Sequence, residues 1–221
     1  MRRMLAIGAA TLLIGCATET HQALTPDTVE SHGTTYSGPV YGLVVGKFQN
    51  RSSYMHGLFT EGPDQLGNQA KTILKTHLQQ SGRFTVVDRE NMAEIEQEAK
   101  IRKVTQNLEG AEVAVTGDVT EFGRKETGDI QLFGILGAGK KQIAYSKVAL
   151  NIVDVRTSKI VYAVQGAGEY ALSNREVVGF GGTAGYDATL NGKVLNLAIT
   201  EAVNNLVAGL ERGEWRPTSA K

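Results

Sequence analysis

The sequence predicts an α/β (α+β) domain in which a mixed sheet is covered by about three helices. Three observations predict it. Apolar residues recur every three or four positions in separate stretches, they alternate with polar ones in others, and the two kinds succeed each other as strand, helix, strand, helix, strands, helix. A chain of 221 residues suits one such domain with a single core.

Each element has its own local reason. Val40 to Phe48 is a short apolar run ending in polar residues, the pattern of a buried first strand. A loop rich in Asn, Arg, Ser and Gly covers Gln49 to Pro63. Leu66, Ala70, Ile73, Leu74, His77 and Leu78 then share one helical face, and Gly82 is placed as the C-cap. Phe84 to Val87 is a brief strand, and Asp88 is expected to cap a second helix whose one face is Met92, Ile95, Ala99 and Arg102. Glu112 to Phe122 alternates, with Val113, Val115 and Val119 against polar neighbours. Lys147 to Val155 and Ile160 to Val164 flank the tight connection Arg156-Thr-Ser-Lys159, which makes a hairpin. Val194 to Leu210 is amphipathic, with Leu197, Ala198, Glu201, Ala202, Asn205 and Leu206 at helical spacing.

Two Gly-rich stretches also alternate. In Gly128 to Ala138, Ile130, Leu132 and Leu136 share a side, although the pattern degrades at Phe133 and Ile135. In Val177 to Tyr186, Val178, Phe180, Ala184 and Tyr186 share a face opposite Val177, Gly179, Gly181, Thr183 and Gly185. The first is expected to pair with Gln142 to Asn151 and the second with Tyr162 to Leu172. They read equally as surface loops. Glu169, Arg175 and Glu176 lie within the second hairpin and are tolerable only in a turn or a lumen.

Several functions are disfavoured. With 23 basic and 23 acidic side chains there is no electrostatic case for nucleic acid. Gly134 to Lys141 nearly spells a phosphate loop, but Lys141 stands where magnesium needs Ser or Thr, and a strand follows, so nucleotide is not expected. His21, His32, His56 and His77 are scattered, so neither a metal nor another cofactor is expected beyond lipid. Glu90, Glu94, Glu96 and Glu98 mix with Lys100, Arg102 and Lys103 as a solvated helix face. No nucleophile accompanies a base, and no enzyme activity is expected.

The N-terminus carries an address. Arg2 and Arg3 precede the apolar run Met4 to Ile14, too short for a bilayer-spanning helix of ~20 residues. It ends in Leu13-Ile14-Gly15-Cys16, which resembles the bacterial lipobox. That resemblance implies cleavage after residue 15, diacylglycerol on the Cys16 thiol and an N-acyl chain. The plain alternative for Cys16, the only cysteine, is a buried spare thiol. Ala17, not Asp, follows it, which favours the outer membrane, with the main domain in the periplasm. Residues 16–39, rich in Thr and Ser, read as a lipidated tether.

Three further stretches, Gly82-Arg-Phe-Thr-Val-Val-Asp88-Arg-Glu90, Val115-Thr-Gly117-Asp-Val-Thr-Glu-Phe122 and Val148-Ala-Leu-Asn-Ile-Val-Asp154-Val-Arg-Thr-Ser-Lys159-Ile-Val, resemble the curli secretion channel (CsgG) family. The likeness covers residues 40–215 and leaves 216–221 as a tail. It implies a homo-oligomeric ring of outer-membrane lipoproteins, each lending two hairpins, about 124–152 and 162–190, to a shared transmembrane β-barrel. Unfolded polypeptides leave through it, with envelope accessory proteins as further partners. The resemblance places Tyr54, Leu58 and Phe59 at the constriction, where Leu58 replaces the family's Asn. Phe59 reads equally as packing before the first helix. The membrane-facing candidates are Ile130, Leu132, Leu136, Val178, Phe180, Ala184 and Tyr186. The competing expectation is a lipid-anchored periplasmic adaptor without a pore.

Overall fold

The structure is a computed structural model and describes residues 27–54, 64–130, 138–176 and 189–218. Its elements are β1 (Tyr41–Asn50), α1 (Gln65–Gln80), β2 (Phe84–Val86), α2 (Met92–Arg102), β3 (Val113–Ile130), β4 (Ala138–Asp154), β5 (Ile160–Glu176) and α3 (Thr189–Glu211). The strands form one mixed sheet in the order β2-β1-β3-β4-β5. β1 runs parallel to both β2 and β3, while β3, β4 and β5 form an antiparallel meander. The α+β class is therefore the fold this chain adopts.

One face of the sheet is apolar because alternate residues are. Leu43 and Val45 of β1, Val113, Val115 and Val119 of β3, and Val148, Leu150 and Ile152 of β4 are buried there. Register shifts between Val45 and Phe48 and between Val119 and Glu121 restore the alternation, so Phe48 and Phe122 also enter the core. Two helices cover that face. α1 brings Leu66, Ala70, Leu74 and Leu78, and α3 brings Val194, Leu195, Ala198, Ile199, Ala202, Val203, Leu206 and Leu210. Gly166 lets α3 approach β5 closely, since a Cβ there would lie 2.2 Å from the Ala198 carbonyl oxygen and 2.3 Å from the Ala202 nitrogen.

The ends of the elements are chemically defined. Asp64 caps α1 by accepting from the Gly67 N–H at 2.8 Å, and its other oxygen accepts from the Asn50 N–H at 2.6 Å, joining strand end to helix start. The C-cap of α1 is Ser81, one residue before the expected Gly82, which follows it at φ +68°. His77 is buried between α1 and α3, its Nε2 2.8 Å from Asn196 Oδ1 and 3.1 Å from the Thr200 hydroxyl. Asp154 closes the β4–β5 turn by accepting from the Thr157 N–H and hydroxyl, and it also accepts from the Thr218 N–H. Trp215 stacks on Phe84 and Tyr162 with ring centroids 6.2 and 5.9 Å away.

Four further expectations change. Asp88 does not cap α2: the helix starts after Asn91, and Asp88 accepts from the Glu90 N–H and the Asn91 amide in the preceding turn. The α2 face of Met92, Ile95, Ala99 and Arg102 does not enter the core, and no residue of α2 is buried. Five of its eleven residues are apolar, but two are alanines and the others do not gather on one face, so the helix offers the sheet too little area to hold it. Residues 27–39 are not a loose tether, because Val29 is only 1% exposed and belongs to the core. Finally, the described residues of the stretch Gly128 to Ala138 do not pair with Gln142 to Asn151, and residues 131–137 lie outside the described residues. Gly128 to Ile130 end β3, Ala138 begins β4, and Gln142 to Asn151 pair with Thr116 to Glu126.

A candidate membrane-proximal extension of the sheet

β3, β4 and β5 hold 18, 17 and 17 residues, far beyond the usual five or six. At ~3.4 Å per residue each is about 60 Å long. The part next to β1 and the two covering helices, Val113 to Arg124 in β3, takes up about two thirds of that length. The boundary is marked by a polar knot at the start of α3. Arg124 donates from Nε and a terminal nitrogen to Asn191 Oδ1 at 3.0 and 2.8 Å. The Asn191 amide donates to the Tyr54 hydroxyl at 3.0 Å, and the Tyr54 ring lies 4.7 Å from that of Phe122.

Past this knot the three strands remain paired. The successive rows are Lys125, Ile143 and Ala171; Glu126, Gln142 and Leu172; Thr127, Lys141 and Ser173; Gly128, Lys140 and Asn174; Asp129, Gly139 and Arg175; Ile130, Ala138 and Glu176. The backbone ladder continues through these six rows without a register shift. On the sheet face opposite the helices, Lys147 and Glu121 form an ion pair of 2.9 Å, and Tyr145 lies over Gly123.

The expected site residues distribute unevenly. Tyr54 is half-buried in the knot, and Ile130 is the last residue of β3, paired with Ala138. Cys16, Leu58, Phe59, Leu132, Leu136, Val178, Phe180, Ala184 and Tyr186 lie outside the described residues. The structure therefore joins Tyr54 to Arg124 and Asn191, two residues that sequence reasoning missed. Neither residue carries a local signal, since α3 holds three further asparagines, at 196, 204 and 205.

Glu90 accepts from Lys71 and Lys75, whose ammonium groups hold its carboxyl below the usual range. Arg212 and then Tyr162 hold Glu214 down to about 2. The Thr218 N–H, followed by the Thr157 hydroxyl, keeps Asp154 well below the ordinary carboxylate range. Among the described residues no group of three or more His, Cys, Asp or Glu is arranged to hold a metal, and no helix is long and apolar enough to cross a membrane.

The candidate lipoprotein NMB1126/NMB1164 of Neisseria meningitidis serogroup B is 61% identical to this chain over 209 residues, covering 95% of this chain and 94% of its own. Among solved structures, the chain is similar to a candidate neuraminyllactose-binding hemagglutinin homolog from Helicobacter pylori, with 12% identity over 82% of this chain and 94% of that one, at a TM-score of 0.45. It is also similar to a PelC dodecamer from Paraburkholderia phytofirmans, with 16% identity over 83% and 94% of the two chains, at a TM-score of 0.36. The family model described as curli production assembly/transport component CsgG matches residues 40–220. The chain belongs to the CsgG family.

Proposed function

We propose that the chain is an outer-membrane lipoprotein, anchored through acyl chains on Cys16, that assembles with copies of itself into a ring. In that ring the extensions of β3, β4 and β5 contribute to a secretion or assembly channel for surface polypeptides such as fibre subunits. The observation that carries this reading is the continuation of three paired strands for six rows beyond the polar knot. A sheet that only closed a core would have no reason to extend so far, because each ordered residue costs conformational entropy of about 1–2 kcal/mol. Membership of the family described as curli production assembly/transport component CsgG supports the same reading.

The test is single-channel recording with the purified, lipidated full-length chain in planar bilayers, alongside its size in detergent. Ring-sized particles and unitary conductance steps are expected. A monomer that never conducts would overturn the channel.

A second reading, a lipid-anchored periplasmic adaptor without a pore, is favoured by one specific observation. Charge recurs through the extension, at Lys125, Glu126, Asp129, Lys140, Lys141, Arg175 and Glu176. Charge facing lipid at mid-membrane costs ~2–4 kcal/mol for Lys or Arg. An adaptor leaves these strands open to protease both in detergent-free solution and on vesicles, whereas a channel protects them once in a bilayer.

A further inference from the structure

The strongest feature that the channel reading does not use is the segment before β1. Its contacts converge on Arg83, in the turn between α1 and β2, which is only 4% exposed. The guanidinium donates to Glu211 Oε1 at 2.8 and 2.6 Å, to the Ser81 carbonyl at 2.8 Å, to the Ser31 carbonyl at 3.4 Å and to the Thr34 hydroxyl at 2.9 Å. It also sits 4.5 Å from the centroid of the Tyr36 ring. The Glu30 N–H donates to Asn204 Oδ1 at 3.0 Å, and the His32 ring lies 3.3 Å from the Gln80 carbonyl oxygen.

These contacts divide unequally. Glu211 and Ser81 belong to the folded body and hold Arg83 whether or not the segment is present. The segment itself contributes one deeply buried apolar side chain, Val29, and otherwise polar contacts at the rim of a cavity of about 490 Å³ over Asn204, Val207 and Glu211. An element held by so few buried apolar groups belongs to the low-stability end of a fold and opens before the core does.

We propose that residues 27–38 are a latch that sets how far the domain stands from the membrane. This rests on the reading that Cys16 carries the lipid. With the latch docked, only residues 17–26 separate the anchor from the body, a reach of about 36–40 Å fully extended. With it released, twelve more residues join the lead and roughly double that reach. The docked state keeps the sheet extension at bilayer range; the released state lets the domain search outward for a partner or a neighbouring subunit.

The test uses the lipidated full-length chain with K159C labelled by a donor dye, on vesicles of phosphatidylethanolamine and phosphatidylglycerol carrying acceptor lipid. Hydrogen exchange is followed on residues 27–38 of the same protein. Wild type is expected to show protected latch amides and high transfer. Val29→Asp, which acts on the latch and leaves Arg83 and its body partners in place, is expected to lose that protection and lower the transfer severalfold, with circular dichroism unchanged. Thr34→Val provides a second, milder release should Val29→Asp fold poorly. Latch amides that exchange at peptide rates in wild type overturn the proposal, as does release without a change in transfer. Mass spectrometry of Cys16 separates the two readings: an unmodified thiol removes the anchor, while latch protection is still measured in detergent.

Discussion

The same three strands live in two environments. From Val113 to Phe122, and along the matching parts of β4 and β5, they carry apolar residues on one side and lie under α1 and α3. From Lys125 to Ile130, and along their partners, they carry mostly charged, amide and small residues, with Ile130, Ile143 and Leu172 among them, and stay paired beyond the row of Arg124. Backbone pairing is continuous across the boundary, so hydrogen bonding is common to both halves. Composition differs. The comparison teaches that the covered part carries the buried apolar residues of the core, while the extension is joined through its backbone ladder.

The largest break in that contrast is expected from Leu150→Ala, which empties a fully buried site on β4 and should lower stability by about 2–5 kcal/mol in urea denaturation. Lys125→Ala, at an exposed position of the extension, should stay within about 0.5 kcal/mol. Equal losses at the two positions would show that the extension packs against a surface of its own.

Gly166→Ala follows, because the added methyl meets helix backbone that cannot step aside. A loss of about 1–3 kcal/mol is expected by thermal unfolding, with α3 displaced from β5.

Asn191→Ala sharpens the boundary itself. It removes a partner from Arg124 and from the Tyr54 hydroxyl, and should cost about 1–2 kcal/mol. Hydrogen exchange should rise first in residues 124–130 and only later in the covered strands.

The smallest effect concerns acid. Asp154 and Glu214 have folded-state values below their ordinary 3.8 and 4.5, so each contributes stability that is present above those values. That contribution is lost as pH falls from about 4.5 toward the Glu214 value of about 2. Glu214→Gln should flatten this part of the pH–stability curve measured by urea midpoints, with no change at neutral pH in its slope.

Much of the covered half was legible because its signals are local. Leu66, Ala70, Leu74 and Leu78 repeat at helical spacing, and each is buried in α1. Val148, Leu150 and Ile152 alternate, and all face the core. Less of the candidate site could be read. Tyr54 was singled out, but its partners Arg124 and Asn191 are 70 and 137 positions away, and no spacing rule links them. Lys125 to Asp129 carry no strand pattern, and they are extended because Gly139 to Ile143 lie beside them. The latch reads as a polar tether because its anchor, Arg83, belongs to another turn altogether.

By itself the sequence determined the alternation of strands and helices, the core faces of α1, α3 and the β4–β5 hairpin, and the family. These depend on the order of neighbours along the chain. Only the tertiary structure decided that β3 runs on to Ile130, that α2 stays outside the core and that residues 27–38 dock on Arg83. Those outcomes are settled by which surfaces meet, and a pairing between distant segments leaves no periodic trace in either one.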